Sequence, residues 1–175
     1  CGIMSELRTN RIVPRDGMVS GAAGGIIQLV SETKTDPFNT QSTTYTDVTG
    51  LSATINIQSA SSKVFVLITA CGNTNGSKGY GQIVRGSTPI AIGDADGNKV
   101  RATFDMNNGG SGNRGQSYVA QTLDAPGVTG NVTYKLQVRH ENGSGDVFIN
   151  RIADTNDSAV NGRYSSTITL MEICA

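Results

Sequence analysis

Tryptophan is missing from this chain of 175 residues, histidine occurs once, and charge is scarce. Only 16% of the residues are Asp, Glu, Lys or Arg, and the two signs balance at 14 each. No net field therefore draws the chain toward nucleic acid, an anionic membrane or a highly charged substrate. No apolar stretch approaches the ~20 residues that a helix needs to span a bilayer, so membrane insertion is not expected. Arg8, Arg11 and Arg15 interrupt any apolar region near the N-terminus, which does not read as a signal peptide.

Cysteine is equally thin. Cys1, Cys71 and Cys174 make an odd count, which is no disulfide framework, and with neither a Cys-x-x-Cys nor a Cys/His cluster neither zinc nor any other cofactor is expected. Cys71 closes the apolar run 63–70, and Cys174 closes the run 165–173. A Cys71–Cys174 bridge is geometrically open if those strands are neighbours; the alternative is two small apolar residues at strand ends.

The residues that carry catalysis are few. His140 stands beside Glu141, but neighbours in a strand point to opposite faces. There is no Gly-x-Ser-x-Gly elbow. The acids sit mostly in turns, and Glu172, which lies in a strand, would need a cation such as Arg85 or Arg139 if buried. Asp94-Ala-Asp-Gly-Asn98 falls short of a calcium loop, because its sixth and twelfth positions are Lys99 and Asp105, and it reads better as a hairpin turn at Asp96-Gly97. The expectation is a protein that is not an enzyme.

What the chain has is Gly, Ser, Thr and Asn, with 22 Gly, around short clusters of Val, Ile and Leu, the profile of an all-β protein rich in turns. Apolar runs or period-two alternation occur at 26–30, 45–48, 51–57, 63–70, 80–85, 89–92, 101–104, 118–123, 132–138, 147–149 and 165–173. The run 63–70 is nearly continuous and is expected to be a central strand buried on both faces, while Gly86-Ser87 marks a tight turn. In 165–173, Ile168, Leu170 and Glu172 share one face. The spacing predicts an antiparallel β-sandwich of jelly-roll type over 26–175.

Residues 1–25 differ: a short basic segment leads into the hinge Ser20-Gly-Ala-Ala-Gly-Gly25. This predicts an extended attachment arm that docks through Leu7, Arg8, Arg11, Ile12 and Val13. Three polar loops are candidates for recognition on a rigid scaffold. Their residues are Asn73 and Asn75 in the first, Asn107, Asn108, Asn113 and Arg114 in the second, and His140 and Asn142 in the third.

Three stretches carry a resemblance. They are Ser5-Glu-Leu-Arg-Thr-Asn-Arg-Ile-Val-Pro-Arg-Asp-Gly17, then Gly25-Ile-Ile-Gln-Leu-Val-Ser-Glu-Thr-Lys34 with Thr44-Tyr-Thr-Asp-Val-Thr-Gly-Leu-Ser52 and Ser59-Ala-Ser-Ser-Lys-Val-Phe-Val66, and finally Ser166-Thr-Ile-Thr-Leu-Met-Glu-Ile173. Together the chain resembles small tail-fibre-like virion structural proteins of marine and cyanobacterial tailed bacteriophages, least in residues 71–115. The resemblance implies a homotrimer on the virion exterior, held to other virion proteins by its arm and touching a host surface glycan or protein. The expected role is a tail-fibre-like or receptor-binding knob. The alternative is a head decoration or cement protein, and ranked behind both are a polysaccharide depolymerase and a cellular lectin-like trimer.

Overall fold

Alternation of apolar and polar residues is converted directly into strands. A computed structural model of the chain describes residues 24–107 and 114–174. Eleven strands follow in order: β1 Ile26–Lys34, β2 Phe38–Thr40, β3 Thr46–Ile57, β4 Lys63–Thr74, β5 Gly79–Arg85, β6 Thr88–Ile90, β7 Phe104–Met106, β8 Gln116–Asp124, β9 Gly130–His140, β10 Val147–Ile149 and β11 Ser166–Ile173. No helix occurs among the described residues.

The pairings give two antiparallel sheets. In the first, β1 pairs β11, β11 pairs β4, and β8 lies on the other side of β4. Gly72 is opposite both Gln116 of β8 and Ile149 of β10, so β10 continues the lane of β11, and β2, which pairs β10, continues that of β1. In the second sheet β3 pairs β9 and β9 pairs β5, while β6 and β7 share the far side of β5. Each sheet is therefore four lanes wide. Numbered along the chain, the first lane pairs the last, the second the seventh, the third the sixth and the fourth the fifth. The fold is an antiparallel β-sandwich, and this nesting is consistent with the jelly-roll type expected.

The core lies between the sheets. It is formed by Leu51, Ala53, Ile55 and Ile57 of β3, Val64, Val66, Ile68 and Ala70 of β4, Tyr134, Leu136 and Val138 of β9 and Ile168 and Leu170 of β11, with β3 lying across from β1 and β11. Burying side chains of this size stabilises by roughly 1.5–3 kcal/mol each before conformational entropy is subtracted. The period-two faces read from the sequence in β9 and β11 are the faces that are buried, Glu172 included.

Several boundaries moved. Runs 45–48 and 51–57 form the single strand β3, joined across a bulge between Asp47 and Ser52 where Gly50 takes φ +83°, a left-handed angle that glycine adopts without strain. The run at 101–104 becomes β7 further on, and β6 stops at Ile90 before Ala91 takes φ +52°. Gly86-Ser87 does close a two-residue hairpin between β5 and β6. A turn also forms at Asp96-Gly97, closed by Lys99 N–H on Asp96 O at 3.1 Å, but it joins no two strands. β4 is central as expected, yet only one of its faces is fully buried; Phe65, Leu67, Thr69 and Cys71 on the other are half-exposed.

The two outer faces differ chemically. On the second sheet Lys135 pairs with Asp47 at 2.7 Å, Gln82 bonds Gln137 at 2.8 Å, and the Arg139 guanidinium lies 5.9 Å from the centre of the Tyr80 ring. The outer face of the first sheet carries far less charge.

Candidate recognition rim

The register fixes two ends of the sandwich. At the base, Gly24 N–H donates to Cys174 O at 2.8 Å and Cys174 N–H to Gly25 O at 2.9 Å. The β3–β4 and β8–β9 connections lie at this end. At the opposite end, the rim, lie the β2–β3 segment, the β4–β5 turn at 75–78, Asn107 and Arg114 and the β9–β10 loop at 141–146, while the β1–β2 link and the long β10–β11 loop at 150–165 leave their lanes beside Cys71 and Gly72, just short of that end. β4 runs 12 residues between the ends, about 40 Å at the rise of an extended strand. The described residues of the three loops expected to carry recognition thus gather at one end, away from where residue 24 joins the sheet.

Within the rim, however, the side chains divide. His140 is fully buried. Its Nδ1 accepts the backbone N–H groups of Asn142 and Gly143 at 3.3 and 3.0 Å, and Nε2 donates to Asn75 O at 3.1 Å. These partners define the neutral tautomer with its proton on Nε2. Asn75 Oδ1 accepts Asp146 N–H at 2.6 Å, and Asn75 N–H donates to Asp146 O at 3.1 Å. Asp146 in turn accepts from Asn39 and Gln41 at 2.8 and 3.2 Å. The Ser77 hydroxyl donates to the Glu141 carboxylate and holds that group below its ordinary pKa, with Lys78 nearby acting in the same sense. Asn73 is buried inside β4. The expectation that Asn73, Asn75 and His140 offer themselves to a ligand is therefore corrected: Asn73 is core, Asn75 is half-buried, and Asn75 and His140 spend their polar groups joining the β4–β5 turn to the β9–β10 loop. Buried polar groups must find such partners, whatever the loop composition suggests. Asn107, Arg114 and Asn142 are exposed as expected. Asn108 and Asn113, and the arm residues Leu7, Arg8, Arg11, Ile12 and Val13, lie outside the described residues.

Two further expectations change. Cys71 lies near the rim end of the β4–β11 pairing and Cys174 just past its base end, so no bridge joins them. Cys71 is a free thiol whose pKa burial pushes up. Glu172 takes no arginine partner. Its carboxylate accepts Gln58 N–H at 2.9 Å and the Gln28 amide at 2.5 Å, while Arg85 Nη1 donates to both Asp124 oxygens at 2.8–2.9 Å.

The β10–β11 loop holds a cleft of about 290 Å³, lined among others by Arg151, Asp154, Asp157, Asn161 and Arg163. Arg151 pairs with Arg163 in an antiparallel bridge, stacks its guanidinium 4.8 Å from the Phe148 ring centre, and donates to Ile152 O at 3.1 Å. Asp154 Oδ1 accepts Asn156 N–H at 2.9 Å, and the Asn161 amide donates to Asn156 O at 2.9 Å, so the loop is folded on itself. The Arg151 guanidinium is committed to the Phe148 ring and to Ile152 O and Ala153 O, so the donors and acceptors of Asp154, Asp157, Asn156 and Asn161 are what a space this small offers to one polyhydroxylated group. The base of the loop is pinned by Asn150, which is fully buried at φ +61°. Sequence reasoning passed over Asn150, Arg151 and Arg163. The one signal was the polar segment 154–158, which composition alone could not distinguish from an ordinary turn.

No protein-family model matches the chain, and no curated protein matches it.

Proposed function

We propose that this chain is a non-enzymatic virion structural protein on the exterior of a bacteriophage particle, a tail-fibre-like or receptor-binding knob attached through residues 1–25 with its rim outward. The single observation that carries the reading is polarity: residue 24 joins the sheet at the base, and the polar loops gather at the other end. A sandwich so arranged can be held at one end while its loops meet a surface at the other. The resemblance to tail-fibre-like proteins supplies the particle, and the cleft of the β10–β11 loop supplies a place for one sugar unit of a host glycan.

Epitope insertion tests the orientation. One tag follows Val160, which is 86% exposed in the β10–β11 loop near the rim; another follows Val128 in the β8–β9 connection at the base. Immunogold labelling of intact particles is expected to mark the rim tag, with the base tag reached only after dissociation, and the gold positions separate a tail mounting from a head mounting. Labelling of the base tag alone on intact particles, or failure of the unmodified protein to enter particles, refutes the proposal.

A further inference from the structure

Two arginines stand opposite each other where the β10–β11 loop leaves the sheet. Arg151 and Arg163 are partners in an antiparallel bridge, and both line the cleft of that loop. Residues directly opposite in such a pair hold their Cβ atoms ~5 Å apart, where like charges destabilise. Elsewhere Lys34, Arg85, Lys99 and Lys135 are each paired with a carboxylate. Here neither arginine has an ion pair among the described residues, although Asp154 and Asp157 line the same cleft.

The two guanidinium groups are held differently. Arg151 is fixed on the Phe148 ring, with Nε on Ile152 O at 3.1 Å and Nη2 on Ala153 O at 3.4 Å. Two neutral carbonyls and a ring leave its positive charge in place. The Arg163 side chain is exposed and makes no hydrogen bond, ion pair or ring contact among the described residues. The backbone that carries it is fixed, because Tyr164 N–H donates to Asn150 O at 3.2 Å and its ring lies so close over Gly115 and Gly162 that a Cβ at either would come within 2.5 Å. Asp157 is exposed and equally unengaged, and Asp154 has given only Oδ1, to Asn156 N–H at 2.9 Å.

We infer that the sugar this cleft takes is acidic: a hexuronate whose carboxylate is bound by Arg163 in the field of Arg151, and whose ring hydroxyls donate to Asp154 and Asp157. The inference rests on the reading of the cleft as a glycan site and adds the class of sugar. An anion at Arg163 relieves the repulsion between the two guanidinium groups, and the planar fork of arginine matches a carboxylate. The two aspartates need O–H donors, which a sugar ring has and a simple anion lacks. A neutral hexose satisfies the acids and leaves Arg163 in water. A simple anion satisfies Arg163 and meets two carboxylates. A uronate answers both halves of the cleft. Because these charges are exposed, salt must weaken the preference.

Amide NMR titration of the full chain with D-glucuronate and D-galacturonate, against D-glucose, D-galactose and acetate, tests this. At least one uronate is expected to shift the amides of 151–163 saturably and about tenfold more tightly than its neutral parent or acetate, with the gap narrowing as salt rises. Arg163→Gln should bring that uronate to the level of the neutral sugar, whereas Asp157→Asn should weaken both alike. Both side chains are exposed and without partners, so the amides outside the loop should not move. Uronates and parents that bind equally overturn the inference and leave the glycan reading standing. Acetate as tight as the uronates overturns it, as does a uronate preference that survives Arg163→Gln. Binding of none of the sugars overturns both the inference and the glycan reading of the cleft, while the immunogold labelling decides the display reading separately.

Discussion

Asn150 ties three strands' worth of backbone and side chain to the start of the β10–β11 loop. Its Nδ2 donates to Lys34 O at 2.8 Å and Asp36 O at 3.1 Å, and its Oδ1 accepts the Ser166 hydroxyl at 2.6 Å, which itself accepts Cys71 N–H at 3.0 Å. One amide thus ties the β1–β2 turn, β4 and β11 to the start of the β10–β11 loop. Asn150→Ala strands two carbonyls and a hydroxyl, at about 1 kcal/mol or more each, and places alanine at φ +61°, at about 1 kcal/mol more, for a total loss of about 4–6 kcal/mol. Asn150→Gly loses the same bonds without the backbone strain and should lie about 1 kcal/mol above the alanine variant. Asn150→Asp keeps the shape but turns an oxygen toward the two carbonyls and should be the worst of the three. In urea, a loss of this size shifts the midpoint by roughly 2 M. An alanine variant within about 1 kcal/mol of wild type, or a glycine variant less stable than the alanine one, would refute the reasoning.

His140→Ala removes the acceptor of two backbone N–H groups and the donor to Asn75 from a fully buried site. A loss of about 2–4 kcal/mol is expected, with hydrogen exchange accelerated at Asn142 and Gly143 ahead of the strands. In alkali the phenols are informative. Burial, and then the hydrogen bond to Asp124, push the Tyr134 pKa far above its ordinary 10.0; burial pushes Tyr45 to about 12. Above pH 10 the unfolded chain releases these protons and the folded chain keeps them, so stability that is whole below pH 10 falls as pH rises, for Tyr45 until about 12 and for Tyr134 beyond it. Denaturant titrations from pH 9 to 12 should show this decline, and Tyr134→Phe should shrink it; an unchanged slope in that variant counts against the assignment.

The alternation in β9 and β11 was legible because a period of two can satisfy only one buried face. The run at 63–70 was legible as central but misread as doubly covered: Phe65 and Leu67 are apolar whether or not anything lies over them. The bulge in β3 hid as a break, since Thr49-Gly50 reads as a turn until the partner strand shows that pairing resumes. The rim was legible as polar and no further. Whether an asparagine in a Gly-rich segment faces solvent, like Asn142, or holds two loops together, like Asn75, depends on what another part of the chain brings beside it. Asn150 was invisible for the same reason, its partners lying 116, 114 and 16 positions away in sequence.

The meeting of residue 24 with Cys174 at the base has a mechanical consequence. β1 runs from base to rim in antiparallel contact with β11, register-matched from Leu29 to Lys34. A pull applied to the chain ahead of residue 24, resisted by something gripped at the rim, runs along the strand axes. The rungs between β1 and β11 are then loaded together in shear and must fail as a group. The same pull directed sideways would peel them one at a time at far lower force. The sandwich is built to bear tension along its length.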